Sequence, residues 1–186
     1  MKLKRLILAF LILFPWVTAC SASSSTLSPP TPAVKWPFDV SKRDSKINQE
    51  FRIREYRSYY FALRFDYVTK GTHDRIAADA DRVRALVGNG SREDTGIKIP
   101  VHLKICKLDT GSPQPELIYE NTILTHGKYA SGFGEHLREI IEIDLKPGIY
   151  RVEANTIEDK PEFFGTPSYM QIEPHPGIKF FPNSIK

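Results

Sequence analysis

The stretch FRIREYRSYYFALRFDY, residues 51–67, decides the fold. Phe51, Ile53, Tyr59, Phe61, Leu63, Phe65 and Tyr67 fall on one parity, while Arg52, Arg54, Ser58, Tyr60, Arg64 and Asp66 fall on the other. That alternation is the period of a strand with one buried and one wet face. Its aromatic and β-branched content favours β structure. Glu55 and Arg57 interrupt the apolar parity, so the run reads as two strands, about 50–56 and 58–67, or one strand bent at a bulge. It is the predicted spine of the core.

Working outward, Trp36, Phe38 and Val40 alternate with Pro37, Asp39 and Ser41, which predicts a first strand, at a sheet edge because of Pro37. Downstream, the period changes to a helical one. Ile76, Ala80, Val83 and Leu86 or Val87 predict a helix over about 74–87, with Thr72 or Asp74 able to cap its start and Gly88 placed for its end. Asn89 to Gly96 is a polar loop. Ile97, Ile99, Val101, Leu103 and Ile105 alternate with Lys98, His102 and Lys104 as a long strand, and after a turn at 109–115 residues 117–125 form another. Residues 127–134 are a loop. Ile141, Ile143 and Leu145 turn through Lys146-Pro147-Gly148 into Tyr150, Val152 and Ala154, the pattern of a hairpin. Residues 168–173 and 178–181 supply the last strands.

The segment LKPGIYRV, residues 145–152, is similar to the penultimate hairpin of immunoglobulin-like and transthyretin-like sandwich domains. The expected fold is therefore mainly β: an immunoglobulin-like or transthyretin-like antiparallel β-sandwich of 7–8 strands with one inserted helix.

The N-terminus carries a different message. Lys2, Lys4 and Arg5 precede an apolar run from Leu6 to Val17, about a dozen residues, too short for the roughly 20 needed to span a bilayer and fitting a signal-peptide core. The run ends in Val17-Thr18-Ala19-Cys20, which resembles the lipobox of bacterial lipoproteins. That resemblance implies cleavage before Cys20 and lipid attachment to its thiol. Residues 1–19 are then a leader, 20–37 a lipidated cysteine with a Ser/Pro-rich tether reaching on the order of 50 Å, and 38–186 a single domain. Ser21 resembles the residue after the lipid cysteine in lipoproteins sorted to the outer membrane, so the expected location is the periplasmic face of that membrane.

The chain has 186 residues and a net charge of +4. Three of those charges lie in the leader, which leaves +1 on the remainder and removes any global attraction for nucleic acid. With Cys20 lipidated, Cys106 has no partner, so stability rests on burial alone. On strand parity Cys106 falls with His102 and Lys104, away from the apolar face.

The residue types offer no recognisable catalytic or metal motif. His73, His102, His126, His136 and His175 show no metal-ligand spacing and read as solvated loop residues. Ser131-Gly132-Phe133-Gly134 lacks a nucleophile-elbow context, and Gly88-Asn89-Gly90 lacks the rest of a phosphate loop. Asp79 and Asp81 read as a wet helix face. No cofactor, metal or catalytic residue is expected. The strongest binding candidate is the polar side of the spine, Arg52, Arg54, Tyr56, Tyr60 and Arg64, which on paired strands would form one array for a peptide, glycan or anionic group; the plainer reading is a solvated sheet face.

These features imply a lipid-anchored, non-enzymatic interaction module with the membrane and an envelope protein as partners. Two classes of that kind, the transthyretin-like lipoprotein subunit of type VI secretion machines and periplasmic immunity lipoproteins, match it in length, anchor and β content. The alternative is an envelope hydrolase acting on glycan or lipid, which would require His, Asp, Glu or Ser residues to converge in one pocket.

Overall fold

A computed structural model describes residues 33–89, 94–109, 111, 113–125, 127 and 130–175. The leader, Cys20, most of the tether, His126 and the expected strand at 178–181 lie outside them.

Over the described residues the fold is an antiparallel β-sandwich with one α-helix. The strands are β1 (Val34–Pro37), β2 (Lys46–Ile53), β3 (Arg57–Asp66), β4 (Ile99–Lys107), β5 (Glu116–Thr125), β6 (Ala130–Gly132), β7 (Glu135–Leu145), β8 (Gly148–Thr156) and β9 (Ser168–Pro174), and the helix is α1 (His73–Val87). One sheet has the order β1-β9-β3-β7-β6 and the other β2-β8-β4-β5. The described residues form nine strands, two of which, β1 and β6, are only four and three residues long, and the architecture is the expected β-sandwich with one helix. β1 also moves the start of the fold into the segment assigned to the tether, because Val34 to Pro37 pair with β9.

The spine is two strands, and they lie in different sheets. β2 pairs with β8, whereas β3 pairs with β7 and β9. The same happens at the expected hairpin, where β7 and β8 separate into opposite sheets and Lys146-Pro147 carries the chain across. Both crossings are pinned alike: the Tyr59 hydroxyl donates to the Glu55 carbonyl at 3.0 Å and the Tyr150 hydroxyl to the Lys146 carbonyl at 2.8 Å. Each tyrosine thus reaches back four residues along the chain, as in the tyrosine corner of sandwich domains. Both rings are buried, and burial pushes the Tyr150 phenol up to about 12.

Phe51, Tyr59, Phe61, Leu63 and Phe65 meet Val101, Leu103, Ile105, Tyr150 and Val152 in the core, all at 7% exposure or less. Phe51 stacks on Tyr150 with centroids 5.7 Å apart and meets the edge of Phe61 at 6.1 Å. The helix links β3 to β4 and buries Val83 and Val87. Thr72 caps it, its Oγ1 accepting from the Arg75 N–H at 3.4 Å. Gly88 follows its last turn with φ +85°, and a Cβ there would stand 2.6 Å from the Gly96 nitrogen, so the two glycine backbones pack directly together. Asp79, expected on a wet helix face, instead accepts from the Val68 N–H at 2.8 Å, and chiefly for that reason its carboxyl titrates below the usual range.

A bulge in β7 changes which side chains face inward. Phe61 opposes Ile141 but Ala62 opposes Glu139, so Ile140 is the extra residue. Strict alternation back from Ile141 would turn Leu137 inward and Arg138 out; the bulge reverses the phase and sets Arg138 opposite Leu63 and His136 opposite Phe65. Arg138 is consequently 0% exposed. Its guanidinium donates to the carbonyls of Val87 at 2.6 Å, Ile97 at 2.5 Å and Leu86 at 3.3 Å, capping the C-terminal end of α1, where the helix dipole is negative. Burial lowers its pKa to about 10, still charged at neutral pH.

Candidate functional site

The structure divides the five candidate residues between two places. Arg52 lies at the end of β2, Arg54 and Tyr56 lie in the link after it, and Tyr60 and Arg64 lie on β3 in the opposite sheet. The single array expected from paired strands does not form, because the chain crosses between sheets where Glu55 and Arg57 break the apolar parity.

On the outer face of the five-stranded sheet, acids outnumber bases. Tyr60 sits between Glu142 on β7 and Glu173 on β9, Ala62 opposes Glu139, Ser58 opposes Asp144 and Asp66 opposes Glu135. Burial, then the charges of Glu142, Glu139 and Glu173, raise the Tyr60 phenol pKa, and the ring packs on His175 with centroids 4.8 Å apart. Arg64 is committed internally: its Nε donates to Asp66 at 2.6 Å, it pairs with Glu135, and its side chain is 22% exposed. Burial works against its charge, but the Asp66 hydrogen bond and the two carboxylates prevail and raise its pKa. This face repels an anionic ligand, so Tyr60 and Arg64 do not join Arg52 and Arg54 in an anion-binding array.

Arg52 and Arg54 belong to a different feature. The sandwich is open between its edge strands β1 and β2, and there a cleft of about 250 Å³ is lined by Val34, Trp36, Glu50, Phe51, Arg52, Arg54 and Ile172. Trp36 meets Phe51 edge-on across the two sheets at 6.4 Å. β2 has β8 on one side and no strand on the other among the described residues, so its outward N–H and C=O groups border the cleft. Sequence parity found the arginines here but could not supply Trp36, which belongs to the other sheet. A second, more open depression of about 330 Å³ includes Phe38, Asp39, Phe164 and Thr166. Asp39 there is already bonded to the Ser41 hydroxyl at 2.6 Å, the main reason its pKa is lowered.

The histidines scatter. His73 is exposed, His102 lies on the outer face of β4 3.4 Å from Glu120, and His175 packs on Tyr60. His136 departs from its expected place in a solvated loop: it is 6% exposed, with Nδ1 2.8 Å from Ser131 Oγ, Nε2 3.4 Å from the Ala80 carbonyl and the Tyr67 ring 5.2 Å away. A carbonyl only accepts, so Nε2 carries a proton, and in the neutral ring Nδ1 then accepts from the serine hydroxyl. Ser131 and His136 are cross-strand partners on β6 and β7, invisible without the register. Among the described residues no group of three or more His, Cys, Asp or Glu could hold a metal ion. Cys106 faces outward as its parity implies, opposite Arg151 and Leu117, yet is only 9% exposed.

No curated protein matches the chain. Among solved structures, a crystal structure of a protein from Sulfurospirillum deleyianum matches with a TM-score of 0.67 at 21% identity, covering 81% of this chain and all of that one, which supports the fold. A structure of the Gt strain of infectious bursal disease virus matches at 8% identity and a TM-score of 0.23, covering 94% of this chain and 41% of that one, too distant to bear on the fold. The profile of a domain of unknown function, DUF5625, matches residues 35–174, which span β1 to the end of β9, and the chain therefore belongs to the DUF5625 family.

Proposed function

We propose that this protein is a lipid-anchored, non-enzymatic binding module of the bacterial envelope, and that it takes an extended segment of a partner protein along the free edge of β2. The observation that carries the binding site is the cleft between β1 and β2, where a bare strand edge adjoins an apolar floor from Trp36 and Phe51 and two arginines. Edge addition supplies main-chain hydrogen bonds, and alternate side chains of the added strand supply specificity. An apolar side chain fits against the two rings, and an acidic neighbour meets Arg52 and Arg54, which outnumber the one acid lining the cleft, Glu50. Cys20 supports the anchor through its place at the end of the leader.

Two experiments test this. Selection of random displayed peptides on the full-length protein is expected to enrich extended sequences with an apolar residue flanked by Asp or Glu, and the Arg52→Glu, Arg54→Glu double variant is expected to weaken their binding at least tenfold. Peptides lacking acids, or unaffected by the charge reversal, would reject the cleft. Metabolic labelling with a fatty-acid probe is expected to mark the wild type and not Cys20→Ala; equal labelling would reject the anchor.

The alternative, an envelope hydrolase, draws on the Ser131–His136 pair, whose hydrogen bonding places the imidazole as a base toward the hydroxyl. A fluorophosphonate probe that labels Ser131 in wild type but nothing in Ser131→Ala would favour that reading over a purely structural cross-strand pair.

A further inference from the structure

The four-stranded sheet has a second edge, β5, with no strand beyond it among the described residues. Edge strands are ordinarily blunted by shortness, Pro or Lys. β5 is ten residues long, ELIYENTILT, with no Pro or Lys; its edge carries one bulge, and the Thr122 N–H donates to the adjacent Asn121 Oδ1 at 2.8 Å, a local bond that a pairing strand would replace. It carries Leu117 and Leu124, 55% and 49% exposed, two of the four large apolar side chains exposed among the described residues.

Their facing depends on one irregularity. Tyr119 opposes Ile105 of β4 and Leu117 opposes Cys106, so Ile118 is an extra residue. On a regular strand, residues of opposite parity such as Leu117 and Leu124 would lie on opposite faces. The bulge brings both to the outer face with Glu120 and Thr122, which oppose Lys104 and His102.

A strand can pair antiparallel with its own copy only about a two-fold axis normal to the sheet, and directly opposed residues must share a face. With the axis at Asn121, that residue meets itself, Glu120 meets Thr122, Tyr119 meets Ile123 and, because of the bulge, Leu117 meets Leu124. Every pair shares a face, the exposed leucines cover each other, and both acids, Glu116 and Glu120, face threonines. An axis one residue earlier would set Glu120 against Glu120, which like-charge repulsion disfavours.

We propose that a second copy of this chain adds along the β5 edge about a two-fold axis at Asn121, joining two four-stranded sheets into one. The β2 edge and its cleft lie on the far side of the same sheet and stay open. The interface therefore stands or falls separately from the binding site proposed above.

The axis position makes a direct test, because opposed residues of an antiparallel pair have Cβ atoms about 5 Å apart, close enough for a disulfide with slight adjustment. Full-length Asn121→Cys protein in its producing cells, treated with an oxidant, is expected to give a covalent dimer on a non-reducing gel at least tenfold above the wild-type background. Asn48→Cys, exposed on the opposite edge strand, is expected to remain at background. Adding Leu124→Lys to Asn121→Cys is expected to reduce the dimer at least tenfold, with protease resistance showing that the fold persists. The proposal is overturned if Asn121→Cys stays at background, if Asn48→Cys cross-links equally, or if Leu124→Lys leaves the dimer unchanged.

Discussion

Replacing Arg138 sets two opposing effects of similar size against each other. Its guanidinium serves three carbonyls, but the Leu86 carbonyl also accepts from the Ile97 N–H at 2.8 Å, so removing the arginine orphans mainly those of Val87 and Ile97. Each buried acceptor left unpaired costs about 1 to 3 kcal/mol, or roughly 4 kcal/mol for two. Against this, the fall of the Arg138 pKa from 12.5 to about 10 reflects a burial penalty on the charge. At 1.36 kcal/mol per unit, removing that charge returns about 3 kcal/mol. Arg138→Met, which keeps most of the side-chain volume, is therefore expected to lose only about 1 kcal/mol. Arg138→Ala also empties space packed around the methylene stem, about 2 kcal/mol more, for a total near 3 kcal/mol. Urea melts of both variants measure the difference, and hydrogen exchange in the last turn of α1 should quicken in both. A loss for Met equal to that for Ala would refute the packing part of the reasoning, and a Met loss reaching the full ~4 kcal/mol of the two orphaned carbonyls would show that the buried charge carries no penalty to relieve.

Phe61→Ala is expected to cost roughly 3 to 5 kcal/mol for a fully buried ring, and Arg64→Ala about 1 to 2 kcal/mol because its two carboxylate partners are half-buried; denaturant melts giving equal losses would contradict the two-sided sheet. Gly88→Ala should lose about 2 to 3 kcal/mol from the positive φ and the contact with Gly96, while Gly111→Ala, with nothing nearby, should lose less; calorimetry separates them. Burial first, and then the charge of Glu142, raise the Glu139 pKa above its ordinary 4.5, so ionising it disfavours the native state. That loss is absent well below 4.5 and grows as pH rises through the shifted pKa, so Glu139→Gln should raise Tm at pH 7 and match the wild type near pH 3. A Tm difference independent of pH would exclude the effect.

Periodicity determined what is local. Alternation in 51–67 and 97–105 and the helical spacing of 74–87 located β2, β3, β4 and α1 to within a few residues, because strand and helix periods are written in consecutive side chains. The Lys146-Pro147-Gly148 turn was legible as a turn, but not that it crosses between sheets. Proximity along the chain suggests pairing, whereas the buried tyrosines at both crossings and the longer-range partners β8 and β9 settle it. The bulges in β5 and β7 were equally hidden, since one inserted residue inverts every facing beyond it: unbroken parity would turn Arg138 outward and would place Leu117 and Leu124 on opposite faces. The candidate site divides the same way. The sequence supplied Arg52 and Arg54 as outward residues on a strand, and only the meeting of β1 with β2 brought Trp36 beside them, because a cleft between two sheets is made of residues with no shared period.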